Sequence, residues 1–208
     1  MNANQLLLYG ITERSYLKGI SLEEAVEQAL AGGVTILQLR EKHLRGDDLR
    51  QAALRIQAIC RRYQVPLILD DDVALARELD CDGVHVGQND MPAAEARRIL
   101  GPGKILGVTA KTVEQARKAE ADGADYLGSG AMFVTSTKAD ALPMSPETLR
   151  TITHSVKIPV VAIGGITAEN LDALRGTGIA GVAVAGGVFN EPDIRGAAQR
   201  LREKVRTL

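Results

Sequence analysis

The chain has 208 residues, of which 45% are apolar and only 3% aromatic, with no Trp. Its core must therefore be built from Val, Ile, Leu and Ala, and its length fits one domain over residues 1–208. The formal net charge of −1 lacks the positive excess of nucleic-acid-binding proteins. No apolar run approaches the roughly 20 residues that cross a bilayer. We therefore expect neither a nucleic-acid partner nor a membrane.

Cysteine usage and the N-terminal residues bear on the cellular compartment. Cys60 and Cys81 stand alone, without the spacing of metal ligands, and are interpreted as buried, reduced side chains. The first residues contain no basic stretch followed by an apolar run, so no secretory signal is visible. We expect a cytoplasmic protein.

Eight short apolar runs recur along the chain, and helical periodicity follows most of them. The runs cover residues 6–12, 36–40, 66–70, 83–87, 105–109, 126–130, 159–165 and 181–186. The helical stretches include residues 22–31, 47–62, 93–100 and 112–121. Strand–helix units in this number predict a single (β/α)8 TIM barrel. In that fold, the loops after the C-terminal ends of the strands build the active site.

Glycines recur between the predicted helices and the strands that follow them. They include Gly33, Gly83, Gly123 and Gly178. A glycine at this point supplies the left-handed turn that ends a helix. We predict a structural role for these glycines.

Acidic side chains follow the third and fourth runs. Asp70 and Asp71 come after the third, and Asp90 after the fourth. Carboxylates from neighbouring loops can converge on one Mg²⁺ ion, which is typically held by one or two carboxylates together with substrate phosphates. The alternative is that residues 70–72 cap the helix that begins near Val73. The residues alone leave both interpretations open.

Polar and basic side chains alternate at the end of the second run. Period-two spacing places Gln38, Arg40 and Lys42 on one face, with Leu39 and Glu41 on the other. An arginine and a lysine at the mouth of a barrel suit an anionic ligand. The alternative is a solvated strand end. It is less favourable because Gln38 would then be a polar group that points into the barrel without a ligand to bind.

Glycine pairs follow the last two runs, at Gly164-Gly165 and Gly186-Gly187. Phosphate sites in this fold are often built from backbone N–H groups of these two loops, and glycine allows close approach. The long polar loop over residues 131–145, which carries Lys138, lies between this end and the metal side. One metal-bridged diphosphate and one monophosphate would fit the arrangement.

The sequence contains few signs of a histidine metal cluster or of nucleophilic catalysis. His43, His85 and His154 are scattered, and His85, within the fourth run, is interpreted as a barrel-interior or packing residue. No nucleophile elbow or Ser-His-Asp order is present.

The motifs together resemble the thiamine-phosphate synthase family over nearly the whole chain. They cover residues 38–42, 67–73, 82–88 with Asp90, 123–128, 135–138 and 162–166. The resemblance implies a TIM-barrel transferase that joins a pyrimidine diphosphate to a thiazole monophosphate and releases pyrophosphate. Its reaction is dissociative, with a pyrimidine-methyl cation as intermediate.

The resemblance also implies roles for individual residues. Asp71 and Asp90 bind the Mg²⁺ cofactor. The pyrimidine diphosphate is held by Gln38, Leu39, Arg40, Glu41, Lys42, Asp70, Thr109 and Lys138, of which Arg40, Lys42, Thr109 and Lys138 are catalytic. The thiazole phosphate is held by Thr135, Ser136, Thr137, Gly165, Ala185 and Gly186.

Three of these positions depart from the usual family pattern. Asp70 stands where Asn is common, Thr109 where Ser is usual, and Gly186 where Ser is frequent.

Two other functions stay open. A thiazole tautomerase would carry a histidine after the fifth strand, where this chain has Lys111. A non-catalytic binder of thiamine-pathway phosphates would release no pyrophosphate. The oligomeric state is open, with a homo-oligomer as one alternative.

Overall fold

Eight parallel strands close into one barrel in sequence order, as the sequence predicts. The structure is a computed structural model that describes residues 3–134 and 143–208. The strands are β1 (Leu8–Ile11), β2 (Ile36–Leu39), β3 (Leu67–Asp70), β4 (Gly83–Val86), β5 (Ile105–Thr109), β6 (Tyr126–Gly130), β7 (Val160–Ile163) and β8 (Gly181–Val184). The pairing of β1 with both β2 and β8 closes the barrel.

Helices surround the barrel. They are α1 (Leu22–Ala31), α2 (Gly46–Tyr63), α3 (Val73–Glu78), α4 (Ala93–Leu100), α5 (Val113–Ala121), α6 (Pro146–Ser155), α7 (Gly186–Phe189) and α8 (Ile194–Val205). After β7, a short 3₁₀ helix (Leu171–Leu174) stands where the repeat would place an α-helix. Within the described residues, none of the helices has both the length and the apolarity to span a membrane.

Local sequence sets several helix starts. Ser21 and Glu24 form a reciprocal capping box at the start of α1, and Thr112 and Ser145 cap α5 and α6 through their hydroxyls. Asp72 accepts the backbone N–H of Leu75 at 2.9 Å and caps α3. The prediction that residues 70–72 cap this helix is therefore confirmed for Asp72.

The strands are buried on both faces, which explains their continuous apolar runs. Outward side chains such as Leu39 and Val84 belong to the large core between the strands and the helices. Inward side chains fill the barrel with a second, smaller cluster that includes Tyr9, Ile36 and Tyr126.

The predicted glycine turns are confirmed at three positions and wrong at one. Gly33, Gly123 and Gly178 have φ of 103°, 92° and 78°. Gly83 instead begins β4, and the left-handed residue of that turn is Asp80, with φ of 52°. Gly83 is needed for space, because a Cβ there would lie 2.1 Å from the carbonyl oxygen of Ile105 on β5.

Candidate active site

The C-terminal end of the barrel gathers most of the predicted site residues. Asp70 is the last residue of β3 and Thr109 the last of β5, while Arg40 directly follows β2. Because all strands are parallel, these ends share one mouth. Thr135, Ser136, Thr137 and Lys138 lie outside the described residues.

Arg40 is held at the mouth by its backbone and its side chain. Its N–H donates to the hydroxyl of buried Thr12 at 2.9 Å. Its guanidinium pairs with Glu13, and its Nε lies 3.7 Å from Oδ2 of Asp70. The side chain is only 15% exposed, so the charge is positioned before any ligand arrives. Lys42, two residues on, is exposed.

The two residues between these groups place their side chains elsewhere. Leu39 is 2% exposed and packs in the layer between strands and helices. The Glu41 side chain is 2% exposed, and its Oε2 accepts from Nε of Arg14 at 2.8 Å. The predicted period-two separation of faces therefore holds for Leu39. Because the Leu39 and Glu41 side chains are buried elsewhere, only their backbone groups could contact a ligand at the mouth.

The carboxylates at the ends of β3 and β4 affect one another. Burial, followed by the charge of Asp71, raises the pKa of Asp70 to about 6, although Arg40 and Lys42 oppose the change. Burial and the charge of Asp90 raise the pKa of Asp71. Mutual repulsion of this kind marks a place where a cation would be stabilised.

The acidic residues fit a magnesium ion as a carboxylate pair rather than as a full protein cage. Asp71 has a left-handed backbone, with φ of 55°. Oδ2 of Asp90 accepts the N–H of Gly87 at 2.6 Å, which leaves Oδ1 for another ligand. Among the described residues, no group of three or more His, Cys, Asp or Glu side chains has the geometry of a metal site. Two carboxylates supplemented by phosphate oxygens are a common magnesium environment.

A line of polar side chains crosses the barrel beneath the mouth. Tyr9 and Tyr126 share a hydrogen bond of 2.8 Å between their hydroxyls, and Nε2 of Gln38 donates to Tyr9 at 2.9 Å. His85 joins Tyr126 through Nδ1 at 3.1 Å and Thr109 through Nε2 at 2.9 Å. The interior position predicted for His85 is confirmed.

The sequence interpretation missed both tyrosines. Tyr9 lies on β1 and Tyr126 begins β6, and each occupies an inward position of the period-two pattern. The signal was present, because a chain with four tyrosines places two of them inside predicted strands. Burial raises the pKa of both phenols, so both keep their protons.

Backbone dominates the opposite side of the mouth. Gly164 and Gly165 follow β7 with φ of 101° and 64°. A Cβ on Gly165 would lie 2.6 Å from the carbonyl oxygen of Val134, so glycine is required. Nδ2 of Asn170 donates to the carbonyl of Gly165 at 2.8 Å and fixes the turn.

The loop after β8 leads straight into a helix. Ala185 precedes α7, which begins at Gly186, so backbone N–H groups of this turn are available at the mouth. The Tyr16 ring lies beside Gly186, with its hydroxyl 3.7 Å from the position that a Cβ would take. A short helix after the eighth strand is the usual phosphate-binding element of this fold.

Two surface hollows lie away from these groups. One, of about 330 Å³, lies between α2 and α3, and another, of about 310 Å³, lies beside α8. Neither is lined by Arg40, Asp70, Thr109 or Gly165. The mouth is the better candidate because it gathers the carboxylates whose pKa is raised and the fixed glycine turns.

Known proteins resemble this chain in sequence and in structure. The thiamine-phosphate synthase of Ruminiclostridium cellulolyticum is 50% identical over 94% of this chain and 93% of its own length. Thiamine-phosphate synthase 2 of Streptococcus pneumoniae is 48% identical over 100% of this chain and 99% of its own. The solved thiamine phosphate pyrophosphorylase of Pyrococcus furiosus superposes with a TM-score of 0.90 at 40% identity, covering 99% of this chain and 98% of that structure.

The family comparison agrees with these individual relatives. The model described as thiamine monophosphate synthase matches residues 8–188, which include every strand of the barrel and both sides of its mouth. The chain belongs to the thiamine-phosphate synthase family.

Proposed function

We propose that this protein couples a 4-amino-2-methyl-5-(diphosphooxymethyl)pyrimidine to a thiazole phosphate, giving thiamine monophosphate and pyrophosphate. The observation that carries the proposal is that the two sides of the mouth differ, since one carries charged side chains and the other glycine-rich backbone. Arg40, Lys42 and the carboxylates lie at the ends of β2, β3 and β4, while the Gly164-Gly165 turn follows β7 and the start of α7 at Gly186 follows β8. The two substrates carry a diphosphate and a monophosphate.

The diphosphate side supports departure of a leaving group. The carbon–oxygen bond between the pyrimidine methylene and the diphosphate breaks, and its electron pair stays on oxygen. Arg40 and Lys42 stabilise the charge that develops there, with Lys138 and the Thr109 hydroxyl as further contacts. Asp71 and Asp90 would hold the Mg²⁺ ion, which would supply further neutralisation of the diphosphate charge. Gln38, Asp70 and the backbone at Leu39 and Glu41 complete this site.

The monophosphate side holds the second substrate in line. The N–H groups around Gly165, Ala185 and Gly186, with Thr135, Ser136 and Thr137, bind the thiazole phosphate. The thiazole nitrogen then donates its lone pair to the pyrimidine methylene carbon and forms the new carbon–nitrogen bond. Because the thiazole nitrogen is itself the nucleophile and is held close to the methylene carbon, the reaction needs no nucleophile from the protein.

Neither alternative function gains support from the described residues. Lys111 follows β5 as an exposed side chain, so the tautomerase histidine is missing at that position. A pure binder of the same phosphates would use the same groups at the mouth, so pyrophosphate release is what separates it from an enzyme. The cytoplasmic location, a homo-oligomeric state and the domain limits of residues 1–208 stay predictions.

Pyrophosphate release on mixing both substrates tests the function. We expect release only with both substrates and Mg²⁺, and its loss in excess EDTA. Arg40→Ala should slow release by about 100-fold or more, because it removes a charge at the leaving group. Arg50→Ala is the matched control, since Arg50 pairs with Glu78 outside the mouth. Ligand binding without any pyrophosphate would favour the non-catalytic binder.

A further inference from the structure

Five strands contribute to the polar line inside the barrel, and its bonds can be followed in order. They run from Gln38 on β2 to Tyr9 on β1, Tyr126 on β6, His85 on β4 and finally Thr109 on β5. Each separation lies between 2.8 and 3.1 Å. The line begins at one predicted ligand-binding residue and ends at another.

Counting protons gives the line a direction. The Gln38 amide donates to the Tyr9 oxygen. Because Gln38 is a donor to Tyr9, the Tyr126 oxygen is the acceptor that the described contacts offer to the Tyr9 proton, and Nδ1 of His85 is then the acceptor for the Tyr126 proton. A neutral imidazole that accepts at Nδ1 carries its proton on Nε2, which donates to the Thr109 oxygen. The Thr109 proton is not used by the line.

We propose that Gln38 sets this direction, that His85 is thereby held as the Nε2–H tautomer, and that Thr109 presents its hydroxyl as a donor to an acceptor atom of the substrate diphosphate. His85 is then a positioning residue, since it acts through Thr109. The identity of the acceptor rests on the proposed function. The tautomer and the direction do not, because both are properties of the free protein.

Tight packing keeps the partners in place. A Cβ on Gly107 would lie 2.1 Å from Cζ of Tyr126 and 2.5 Å from Nδ1 of His85. A Cβ on Gly128 would lie 3.2 Å from Cε1 of His85. The absence of a side chain at the two glycines leaves the space that the Tyr126 and His85 rings occupy. Preorganised donors of this kind need no rearrangement when charge develops on a ligand.

Nitrogen NMR of ¹⁵N-histidine-labelled free protein tests the tautomer. The chain has three histidines, and the signals missing in His85→Asn identify His85. We expect Nε2 of His85 at a protonated shift and Nδ1 at an unprotonated one. Thr109→Val should leave this pattern unchanged, because Tyr126 still donates to Nδ1. An Nδ1–H tautomer, or an imidazolium at neutral pH, overturns the proposal and indicates the reverse orientation of the Gln38 amide.

Gln38→Glu tests whether residue 38 sets the direction. An ionised carboxylate only accepts, so Tyr9 must donate to it and every later bond reverses. We expect the Nδ1–H tautomer of His85 at a pH where the ¹³C shift of the introduced carboxyl shows ionisation. In a Tyr9→Phe background, the same substitution should leave the His85 shifts where Tyr9→Phe alone puts them. An unchanged tautomer in the ionised single variant overturns the assignment to Gln38.

Steady-state kinetics test the use of the Thr109 proton. Thr109→Val keeps the side-chain shape and removes the hydroxyl, so KM for the pyrimidine diphosphate should rise by about 10-fold or more. Thr109→Ser keeps a hydroxyl, so its KM for the pyrimidine diphosphate should rise less than that of Thr109→Val, and KM for the thiazole phosphate should change in neither. Equal kinetics for Val and Ser would overturn the donor role. An enzyme that forms no thiamine phosphate at all would refute the proposed function and leave the tautomer result standing.

Discussion

The Nε atom of Arg40 lies 3.7 Å from Oδ2 of Asp70, across the ends of the neighbouring strands β2 and β3. The attraction to Arg40 is not the largest influence on the pKa of the Asp70 carboxyl. Burial and the neighbouring charge of Asp71 outweigh it, so the pKa of Asp70 rises to about 6. Arg40 also pairs with Glu13, which divides its charge between two carboxylates. Asp70 is therefore an acid that folding makes harder to ionise.

Asp70→Asn should stabilise the free protein at neutral pH. Above pH 6 the Asp70 carboxyl is ionised in both states, and folding bears the full cost of burying it. Below its ordinary pKa of 3.8 it is protonated in both, and the cost disappears. The difference between 3.8 and about 6 corresponds to about 3 kcal/mol. The free energy of unfolding of the variant should thus exceed that of the parent at pH 7.5 by up to that amount, and by little at pH 4.

Urea unfolding in EDTA at several pH values measures this difference. Asp172→Asn is a matched control, because the pKa of Asp172 is shifted in the opposite direction. A hydrogen bond from Arg175 lowers the pKa of Asp172, so removing its charge should bring no gain at neutral pH. A gain from Asp70→Asn that is equal at pH 4 and pH 7.5 would contradict the titration argument.

The sequence was sufficient to locate the mouth, because side chains that follow parallel strands must meet at one end of a barrel. Arg40 and Asp70 could be grouped on that basis alone, whereas Thr109 was assigned through the family resemblance. The hydrogen bond between Tyr9 and Tyr126 could not be predicted, since it joins residues 117 positions apart and depends on barrel closure. The burial of the Glu41 side chain against Arg14 is likewise a tertiary effect.

Asp90→Asn should separate metal binding from loop structure. Oδ2 of Asp90 accepts the N–H of Gly87 at 2.6 Å, and an amide oxygen can keep that bond while the charge is lost. We expect a fall in pyrophosphate release of about 100-fold or more with unchanged urea unfolding. Asp90→Ala loses the loop bond as well, so its stability should fall too. Asp48→Asn, on the first turn of α2, serves as the control. Full activity of Asp90→Asn, or equal parent activity in EDTA, would refute the metal assignment.

Gly165 and Gly186 should respond differently to a larger side chain. Gly165→Ala forces a Cβ to within 2.6 Å of a carbonyl oxygen at φ of 64°, which costs on the order of 1–3 kcal/mol and distorts the turn. Gly186→Ser meets only ordinary contact with Tyr16, at 3.6 Å or more. Its hydroxyl would add a donor beside the proposed phosphate, as in the usual family pattern. Titration with the thiazole phosphate should show weaker binding for Gly165→Ala and equal or tighter binding for Gly186→Ser. The reverse order would contradict the proposed cradle.

Gly107→Ala should destabilise the protein from inside the barrel. Its Cβ would lie 2.1 Å from Cζ of Tyr126, which is fully buried, and 2.5 Å from Nδ1 of His85. Overpacking of this kind costs typically 1–3 kcal/mol, so urea midpoints should fall clearly. The hydrogen bond between Tyr126 and His85 should break as well, which the ring nitrogen shifts of His85 would report. Gly103→Ala, in a turn where an added Cβ meets nothing within 4 Å, should stay within about 0.5 kcal/mol of the parent. Equal stability of the two variants would show that the barrel interior has more room than this packing allows.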